Sequence, residues 1–181
     1  MSVFIVLLRG INVGGHNRIK MADLKQSFLS LGYSKVTSYL QSGNVIFATT
    51  NNKETSFLEN QIQEQILKDF NLNISSIVLT KKALLNIYSN NPFLNDEKLE
   101  IQKLYIAFLN KNPDLKEFKS ILEKEYSEEM IIQDRVIYLY YTYGYGKSKV
   151  NNNFFESKLN VAATTRNWKT IRAIKDILEQ Y

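Results

Sequence analysis

The sequence has no cysteine, one histidine and two prolines in 181 residues. Without cysteine there is no disulfide, no thiolate nucleophile and no zinc–sulfur site, and one histidine leaves little for imidazole chemistry. No apolar run approaches the roughly 20 residues of a membrane-spanning helix, and Met1 to Leu8 lacks the basic leader and cleavage site of a signal peptide. We therefore expect a cytoplasmic protein without a membrane partner.

The excess of one sign of charge is also small. The chain has 23 Lys and Arg residues and 18 Asp and Glu residues, which gives a formal net charge of +5. This modest excess admits an anionic ligand or nucleic acid as a partner, although ordinary solvated surfaces have the same balance. The acidic residues show no metal-ligand spacing, so we predict no metal site. Hydrophobic residues make up 44% of the chain, as in globular domains.

Hydrophobic periodicity predicts the order β-α-β-β-α-β in the first half of the chain. Gly32 suits the C′ position that ends the first helix, the residues Gln41 to Asn44 suit a hairpin turn, and the asparagines Asn51 and Asn52 indicate a loop. The predicted strands are 3–8, 36–40, 45–48 and 74–79, and the predicted helices are 21–31 and 58–70.

The second half shows a strand, a helix and paired strands again. Asn112-Pro113-Asp114 predicts a helix start with Asn112 as the cap and Pro113 at the first helical position. We predict an α+β fold of two packed ferredoxin-like subdomains, residues 1–90 and 91–181, with mostly antiparallel sheets and flanking helices. The other predicted elements are a helix at 81–89 capped by Thr80, strands at 104–109, 130–133 and 136–142, and helices at 153–159 and near the end of the chain.

The loop between the first strand and the first helix is rich in glycine and basic residues. Its glycines can adopt positive φ and direct backbone N–H groups into one concavity, and the helix start adds partial positive charge. The glycine spacing is not that of a dinucleotide fingerprint, and glycines that only permit a tight turn are the competing interpretation. The predicted anion ligands here are Arg9, Asn12, Gly14, Gly15 and Lys20, with Arg18 in the same loop.

A second basic loop contains Gly146-Lys147-Ser148, which invites comparison with a P-loop. The P-loop pattern requires a glycine where this chain has Tyr141, so we exclude a P-loop. Lys147 and Lys149 remain candidate point charges and Ser148 a candidate hydroxyl donor toward a phosphate or carboxylate.

The stretch from Thr164 to Thr170 precedes the last helix. A threonine or Asn167 is expected to cap that helix. A helix start carries partial positive charge, so the charge of Arg166 is unfavourable there unless an acidic side chain or a ligand anion lies beside it. We therefore predict Arg166 and Asn167 as ligand contacts.

Two further groups have two interpretations each. Ser42, Gly43 and Asn44 are either hairpin residues or, with Asn12, ligand contacts for a base or sugar. Tyrosines 138, 140, 141, 143 and 145 are either sheet core or a row that stacks the bases of a single strand.

The phrases LLRGINVGG with KMADL behind it, YLQSGNVIF, YGYGKSK and TTRNWKTI occur in this order from Phe4 to Leu178. Together they resemble the bacterial family catalogued as domain of unknown function 1697. The resemblance implies an α+β fold of two related subdomains and no established activity. Its recurrent positions match residues 9, 10, 12, 14, 15, 20, 21, 42–44, 148, 149, 165–168 and 170.

The leading hypothesis is a protein that binds a phosphate-bearing or other anionic small ligand in a basic cleft between the subdomains. The alternatives are a nucleic-acid-binding module and a protein-interaction or homodimer module. No residue has the surroundings of an activated nucleophile, so the sequence names no catalytic residue, reaction or cofactor.

Overall fold

The computed structural model describes residues 1–50 and 53–181; the loop predicted at Asn51 and Asn52 lies outside the described residues. The chain forms two compact units. The first comprises Met1–Asn86 together with Ala173–Tyr181, and the second comprises Ile87–Arg172. The final residues of the chain thus belong with the first unit, whereas the sequence alone assigned them to the C-terminal subdomain.

The first unit has the predicted element order. Its elements are β1 (Ser2–Leu8), α1 (Met21–Ser30), β2 (Ser34–Tyr39), β3 (Asn44–Thr49), α2 (Thr55–Phe70) and β4 (Ser76–Thr80). The strands form one antiparallel sheet in the order β2-β3-β1-β4. This is the ferredoxin-like arrangement. In it, β3 lies between β1 and β2, which are the two strands that α1 joins.

The core of the first unit follows from alternation along β1. Phe4, Val6 and Leu8 share one face of the strand and are buried with apolar side chains of α1 and α2. Phe47 from β3 stacks on Tyr33 with ring centroids 4.3 Å apart. The helices therefore cover one face of this sheet, as their apolar spacing predicts.

The second unit repeats the same order of elements. They are β5 (Leu104–Leu109), α4 (Leu115–Leu122), β6 (Glu128–Gln133), β7 (Val136–Tyr141), α5 (Asn152–Leu159) and β8 (Ala163–Asn167), with sheet order β6-β7-β5-β8. Two helices contain the points at which the chain passes between units, α3 (Lys81–Ser89) and α6 (Trp168–Leu178). The predicted α+β class with two antiparallel sheets and flanking helices is confirmed.

One strand in the second unit was not predicted, and one local prediction there is wrong. The polar residues before the last helix form the strand β8, which pairs antiparallel with β5; polar side chains in this edge strand hid the pattern of an apolar run. Asp114, not Asn112, caps α4, because its carboxylate accepts a hydrogen bond from the Lys116 N–H at 2.7 Å. Pro113 consequently precedes the cap instead of occupying the first helical position.

The predicted cap at Thr80, at the start of α3, is confirmed by a 3.1 Å hydrogen bond from the Ala83 N–H to the Thr80 hydroxyl.

Candidate functional site

The β1–α1 connection, residues 9–20, contains a small hairpin. Val13 and His16 form an antiparallel bridge, and the His16 N–H donates to the Val13 carbonyl at 3.0 Å. Gly14 and Gly15 between them have φ of +57° and +81°, which is the pattern of a type I′ turn. The two glycines therefore serve a tight turn at the tip of the connection.

Asn12 holds this connection together. Its amide nitrogen donates to the carbonyls of Ile19 and Gln41, both at 2.9 Å, and its amide oxygen accepts from the Ile19 N–H at 2.8 Å. Asn12 itself has φ of +54°, a conformation that asparagine tolerates better than most residues. The side chain thus joins both ends of the connection to the β2–β3 loop, and its amide is occupied by the protein.

A pocket of about 780 Å³ lies beside this connection and the first turn of α1. Its volume falls in the range of small-molecule sites. The lining residues are Asn12, Gly15, Arg18, Ile19, Lys20, Met21, Ala22 and Gln41. Of the residues predicted from the sequence, Asn12, Gly15 and Lys20 meet here. Arg9 and Gly14 are not among its lining residues.

Two cations line the pocket, and neither has an acidic partner in the part of the chain that the structure describes. Arg18 and Lys20 are exposed, and neither forms an ion pair with a residue in the ranges 1–50 and 53–181. Arg18 Nη2 lies 3.6 Å from the point that a Cβ atom on Gly15 would occupy, so the guanidinium is close to the hairpin tip. The charge of both side chains is available to a ligand.

The start of α1 adds to this positive potential. Lys20 is the N-cap residue, and its side chain makes no capping hydrogen bond. The first N–H groups of a helix have no partner within the helix, and they carry partial positive charge. The pocket therefore combines two side-chain cations with a helix start that lacks a side-chain cap.

The acid in the first turn of α1 contributes to a different depression. Asp23 lines a cavity of about 340 Å³ with Ser27 and Asp69. There the Ser27 hydroxyl donates to Asp69 at 2.6 Å and Gln65 donates at 2.8 Å. The hydrogen bond from Ser27, followed by that from Gln65, holds the pKa of the Asp69 carboxyl below its usual value of 3.8.

The residues predicted in the β2–β3 turn have internal partners. The Asn44 amide donates to the Tyr39 carbonyl at 3.1 Å and to the Ser42 hydroxyl at 3.0 Å. Gly43 is buried with φ of +76°, and a Cβ atom there would lie 2.7 Å from Leu8 Cβ. These contacts support the hairpin interpretation, and a role of the three residues in ligand binding stays a prediction.

In the second unit, the loop predicted from Gly146 to Lys149 contains a short 3-10 turn, Tyr145–Lys147. The Ser148 hydroxyl accepts from the Val150 N–H at 2.9 Å, so it serves the loop itself. Lys147 and Lys149 are exposed, and no ion pair joins either to another described residue.

Arg166 and Asn167 lie at the end of β8. Arg166 is only 9% exposed, and its Nη1 donates to the Thr164 hydroxyl at 2.7 Å and the Thr165 carbonyl at 3.0 Å. Asn167 accepts from the Thr170 N–H at 2.8 Å and caps α6, as predicted. Two oxygen atoms of its own strand thus accept hydrogen bonds from the Arg166 guanidinium near this helix start.

The tyrosines of the second unit divide between core and surface. Tyr141 is fully buried, donates its hydroxyl to the Val150 carbonyl at 2.8 Å and packs against Tyr105 and Tyr145. Burial raises its pKa. Tyr143 is 72% exposed. A continuous stacking row on one exposed side is therefore not formed by Tyr141, Tyr143 and Tyr145.

Pocket residues that the sequence analysis did not assign are Arg18, Ile19, Met21, Ala22 and Gln41. Positions 18 to 22 follow from the predicted helix start, because residues before and in a first turn surround the free N–H groups. Gln41 comes from another loop, and nothing in the local pattern indicates its contact with Asn12.

No group of three or more metal-ligating side chains is assembled within residues 1–50 and 53–181. Over the same residues, every helix is too short or too polar to cross a membrane.

The fold and the pocket define an α+β protein that contains the β-α-β-β-α-β arrangement twice, with a basic pocket in the first copy. The chain belongs to the family described as "Protein of unknown function (DUF1697)", whose model matches residues 1–138. The match includes the whole β1–α1 connection. It ends before the YGYGKSK and TTRNWKTI phrases.

The chain is also similar to a solved structure, described as that of a conserved bacterial protein from Streptococcus pneumoniae. The TM-score is 0.76 and the identity 24%, over 98% of this chain and 98% of that chain. This likeness concerns the fold alone. No curated protein matches the chain.

Proposed function

We propose that this protein binds a small anion, most simply a phosphate group, in the pocket at the start of α1. The observation that carries the proposal is the convergence of Arg18 and Lys20, both without an acidic partner among the described residues, on one pocket of about 780 Å³. Like charges brought together are unfavourable until an anion answers them. Binding would remove that repulsion.

The helix start supports a phosphate in particular. Backbone N–H groups in a first helical turn donate to anionic oxygens, and the helix dipole favours negative charge there. A phosphate has enough oxygen atoms to accept from the helix and from both side chains at once. Arg18 would supply a planar, paired set of donors, and Lys20 would act as a point charge.

The basic residues predicted in the second unit are not needed for this proposal. Lys147 and Lys149 are exposed, and Arg166 is buried with oxygen partners in its own strand. Their participation in anion binding, and the cleft between subdomains, stay predictions.

The nucleic-acid alternative is not favoured by a specific observation. Four-stranded modules of this topology that bind RNA use aromatic side chains on an open sheet face. Here Ile5 and Leu7 in the first sheet, and Ile106 and Tyr138 in the second, point away from the helix-covered faces and are at most 1% exposed. Neither sheet offers the stacking surface of that mode.

Titration calorimetry with inorganic phosphate tests the proposal. Arg18→Ala is expected to weaken phosphate binding about tenfold, the loss that corresponds to one charge-assisted hydrogen bond. Lys25→Ala is the matched control, because Lys25 is an exposed cation on α1, the helix whose start borders the pocket, and it does not line the pocket. It is expected to change the affinity less than about twofold.

An equal loss in both variants would show that general positive charge, and not the pocket, attracts the anion. An absence of phosphate binding by the wild type at millimolar concentration would contradict the proposal. Binding of oligonucleotides with a steep salt dependence and without loss in Arg18→Ala would favour the nucleic-acid alternative.

A further inference from the structure

The strands at the edges of the first sheet are β2 and β4, and side chains of the same unit occupy backbone groups at both edges. The Tyr181 hydroxyl donates to the Lys35 carbonyl of β2 at 2.5 Å. The Glu59 carboxylate of α2 accepts a hydrogen bond from the Val78 N–H of β4 at 2.9 Å. Occupied edge groups are unavailable to another strand, so both edges of this sheet are protected from further pairing.

The second sheet has the edge strands β8 and β6, and among the described residues only β8 is protected in this way. The Glu156 carboxylate of α5 accepts a hydrogen bond from the Ala163 N–H of β8 at 3.2 Å. No side chain within residues 1–50 and 53–181 forms a hydrogen bond with the backbone of residues 128–133. β6 is therefore the edge that the described part of the chain leaves open.

The hydrogen bonds of the sheet show which groups of β6 face this open edge. The Leu109 N–H of β5 donates to the carbonyl of Arg135, directly before β7, at 2.9 Å. Successive residues of a strand bond to opposite neighbours, so the even-numbered residues of β7 bond to β6. They lie opposite the odd-numbered residues of β6, as Val136 lies opposite Gln133. The groups that point outward are consequently the N–H and C=O groups of Glu128, Met130 and Ile132.

β6 lacks the usual features that keep an edge strand unpaired. Its sequence, EEMIIQ, contains no proline and no lysine, and its register with β7 is continuous, without a bulge. Ile131 lies on the face of the sheet that the helices do not cover, and it is 38% exposed. Both glutamates stand at one end of the strand, so the rest of the strand presents an apolar side chain to solvent.

We propose that β6 pairs antiparallel with β6 of a second copy of this chain, around a two-fold axis at Ile131. Residues that face one another across such a pair lie on the same face of the sheet. Ile131 then faces its own counterpart, and Met130 faces Ile132. Glu129 faces Gln133, whose amide can donate to the carboxylate. This interface belongs to the second unit and goes beyond the proposed anion site, on which it does not depend.

Charge and polarity favour this axis over its nearest alternative. An axis at Met130 would place the exposed Glu129 carboxylate against Ile131 of the second copy, which removes water from an acid beside an apolar side chain. With the axis at Ile131, the two acids that face one another, Glu128 and Asp134, lie at the outer ends of the interface. Salt screens their repulsion there.

A second copy fits this edge because the strand is complementary to itself. Each chain offers one open edge among its described residues, so a two-fold pair uses that edge completely and the assembly closes as a dimer. A strand pair of this length buries less than the roughly 1,600 Å² of a standard interface. We therefore expect a weak dimer, with a dissociation constant on the order of 10 to 100 μM.

Sedimentation velocity of the full chain between about 2 and 500 μM tests the proposal, because this range spans the expected dissociation constant. Ile131→Lys places two like charges opposite each other at the axis and is expected to raise the dissociation constant at least about tenfold. Ile101→Lys is the matched control, since Ile101 is 53% exposed in the same unit and lies outside the sheet. It is expected to leave the dissociation constant unchanged.

Single cysteine substitutions test the register, because the chain has no cysteine of its own. Directly opposite residues of a non-hydrogen-bonded pair have Cα atoms about 4.5 Å apart, a separation that a disulfide can span. Ile131→Cys is therefore expected to form a covalent dimer under mild oxidation. In Gln133→Cys the new thiol faces Glu129 of the second copy, so this control is expected to form much less covalent dimer.

The outcomes decide the proposal. A monomer at every concentration would overturn it. A dimer that Ile131→Lys leaves unchanged, or equal cross-linking of Ile131→Cys and Gln133→Cys, would assign the contact to another surface and overturn it as well. Phosphate titration of Ile131→Lys is expected to match that of the wild type, so the dimer and the anion site are tested separately.

Discussion

The two units share one topology and differ in the connection between their first strand and first helix. In the first unit this connection covers residues 9–20 and places two cations, without an ion pair to any described residue, beside a helix start that has no side-chain cap. In the second it covers residues 110–114, and Asp114 caps the helix directly. The same topology thus occurs with a short, capped connection in the second unit and with a longer one in the first, whose Ile11 and Ile19 are buried in the core.

This difference supports the location that we propose for the binding site. Loops carried by a rigid scaffold tolerate elaboration and hold binding residues more often than the core does. Among the described residues, Arg18 and Lys20 of the first unit have no acidic partner, whereas in the second unit Asp114 caps the corresponding helix start. The following predictions test whether the long connection is structured by the fold and whether it is open to ligands.

The largest loss of stability is expected for a substitution at Gly43, which packs against Leu8 and against Ile11 of the long connection. Its carbonyl accepts from the Leu8 N–H at 2.8 Å, and an added Cβ would lie 2.7 Å from Leu8 Cβ and 3.0 Å from Ile11 Cγ1. Gly43→Ala is expected to lower the free energy of unfolding by about 3 kcal/mol, from the positive φ and the steric overlap together. Urea denaturation gives this value.

Gly32→Ala is the control for the backbone term alone. Gly32 has φ of +79°, and nothing lies within 4 Å of the position that an added Cβ atom would occupy. The substitution is expected to cost about 1 kcal/mol. Equal costs at both positions would mean that the contact of Gly43 with Leu8 and Ile11 relaxes freely, and that the connection is not anchored there.

The second prediction compares the asparagines that tie the two connections. Asn12 uses its amide nitrogen twice, on Ile19 and Gln41. Asn110 uses its amide oxygen, which accepts from the Ala162 N–H at 2.8 Å. Asn12→Asp is therefore expected to cost about 2 kcal/mol, because two carbonyls lose their donor.

Asn110→Asp keeps the acceptor and is expected to change the unfolding free energy by less than about 0.5 kcal/mol. Denaturant titration of both variants measures the difference. If Asn110→Asp proved as costly as Asn12→Asp, the two connections would not differ in the way their hydrogen bonds indicate. Phosphate titration of Asn12→Asp adds a second measurement, since the new negative charge is expected to oppose binding.

The repeated topology is predictable from the sequence because it depends on local signals. Alternating and helical spacings of apolar residues give the strands and helices, and Gly32 follows the end of the first helix where the structure has it. β8 was missed since Thr164, Thr165 and Arg166 lack the apolar alternation of a strand. Their strand is specified by pairing with β5, which is distant in sequence.

The pocket was predictable only in part for the same reason. Lys20 and Gly15 follow from the loop and the helix start. The contact between Asn12 and Gln41 joins residues far apart in the chain, and no local pattern records it. The burial of Arg166 could not be predicted from the sequence either. The periodicity of apolar residues indicates which side chains share a face of an element, but it does not indicate which other residues cover that face.

The third prediction makes the first unit resemble the second. Lys20→Ser removes one pocket cation and places a capping hydroxyl at the start of α1, so it is expected to stabilise the fold by about 1 kcal/mol and to weaken phosphate binding. Lys20→Ala should weaken binding equally without the gain in stability. Asp114→Ala in the second unit is expected to lose about 1 kcal/mol.

Thermal melting and phosphate titration of the three variants measure these effects. If Lys20→Ser is more stable than the wild type and binds phosphate more weakly, the uncapped helix start of the first unit reduces the stability of the fold in favour of binding. If Lys20→Ser kept the wild-type affinity for phosphate, Lys20 would have no part in the site.

The smallest effect is expected at Asp69, which joins the two helices of the first unit through Ser27. Hydrogen bonding lowers the pKa of Asp69 in the folded state. Its contribution to stability is therefore complete above its usual value of 3.8 and is lost as the pH falls through the lower folded-state pKa. The carboxyl is largely exposed, so the loss of stability is expected to be slight.

Melting temperatures between pH 6 and pH 2 measure this effect. They should fall less steeply in acid for Asp69→Asn than for the wild type, with Ser27→Ala intermediate because Gln65 still donates to the carboxylate. Identical acid profiles for all three proteins would show that this link between α1 and α2 does not contribute to the pH dependence.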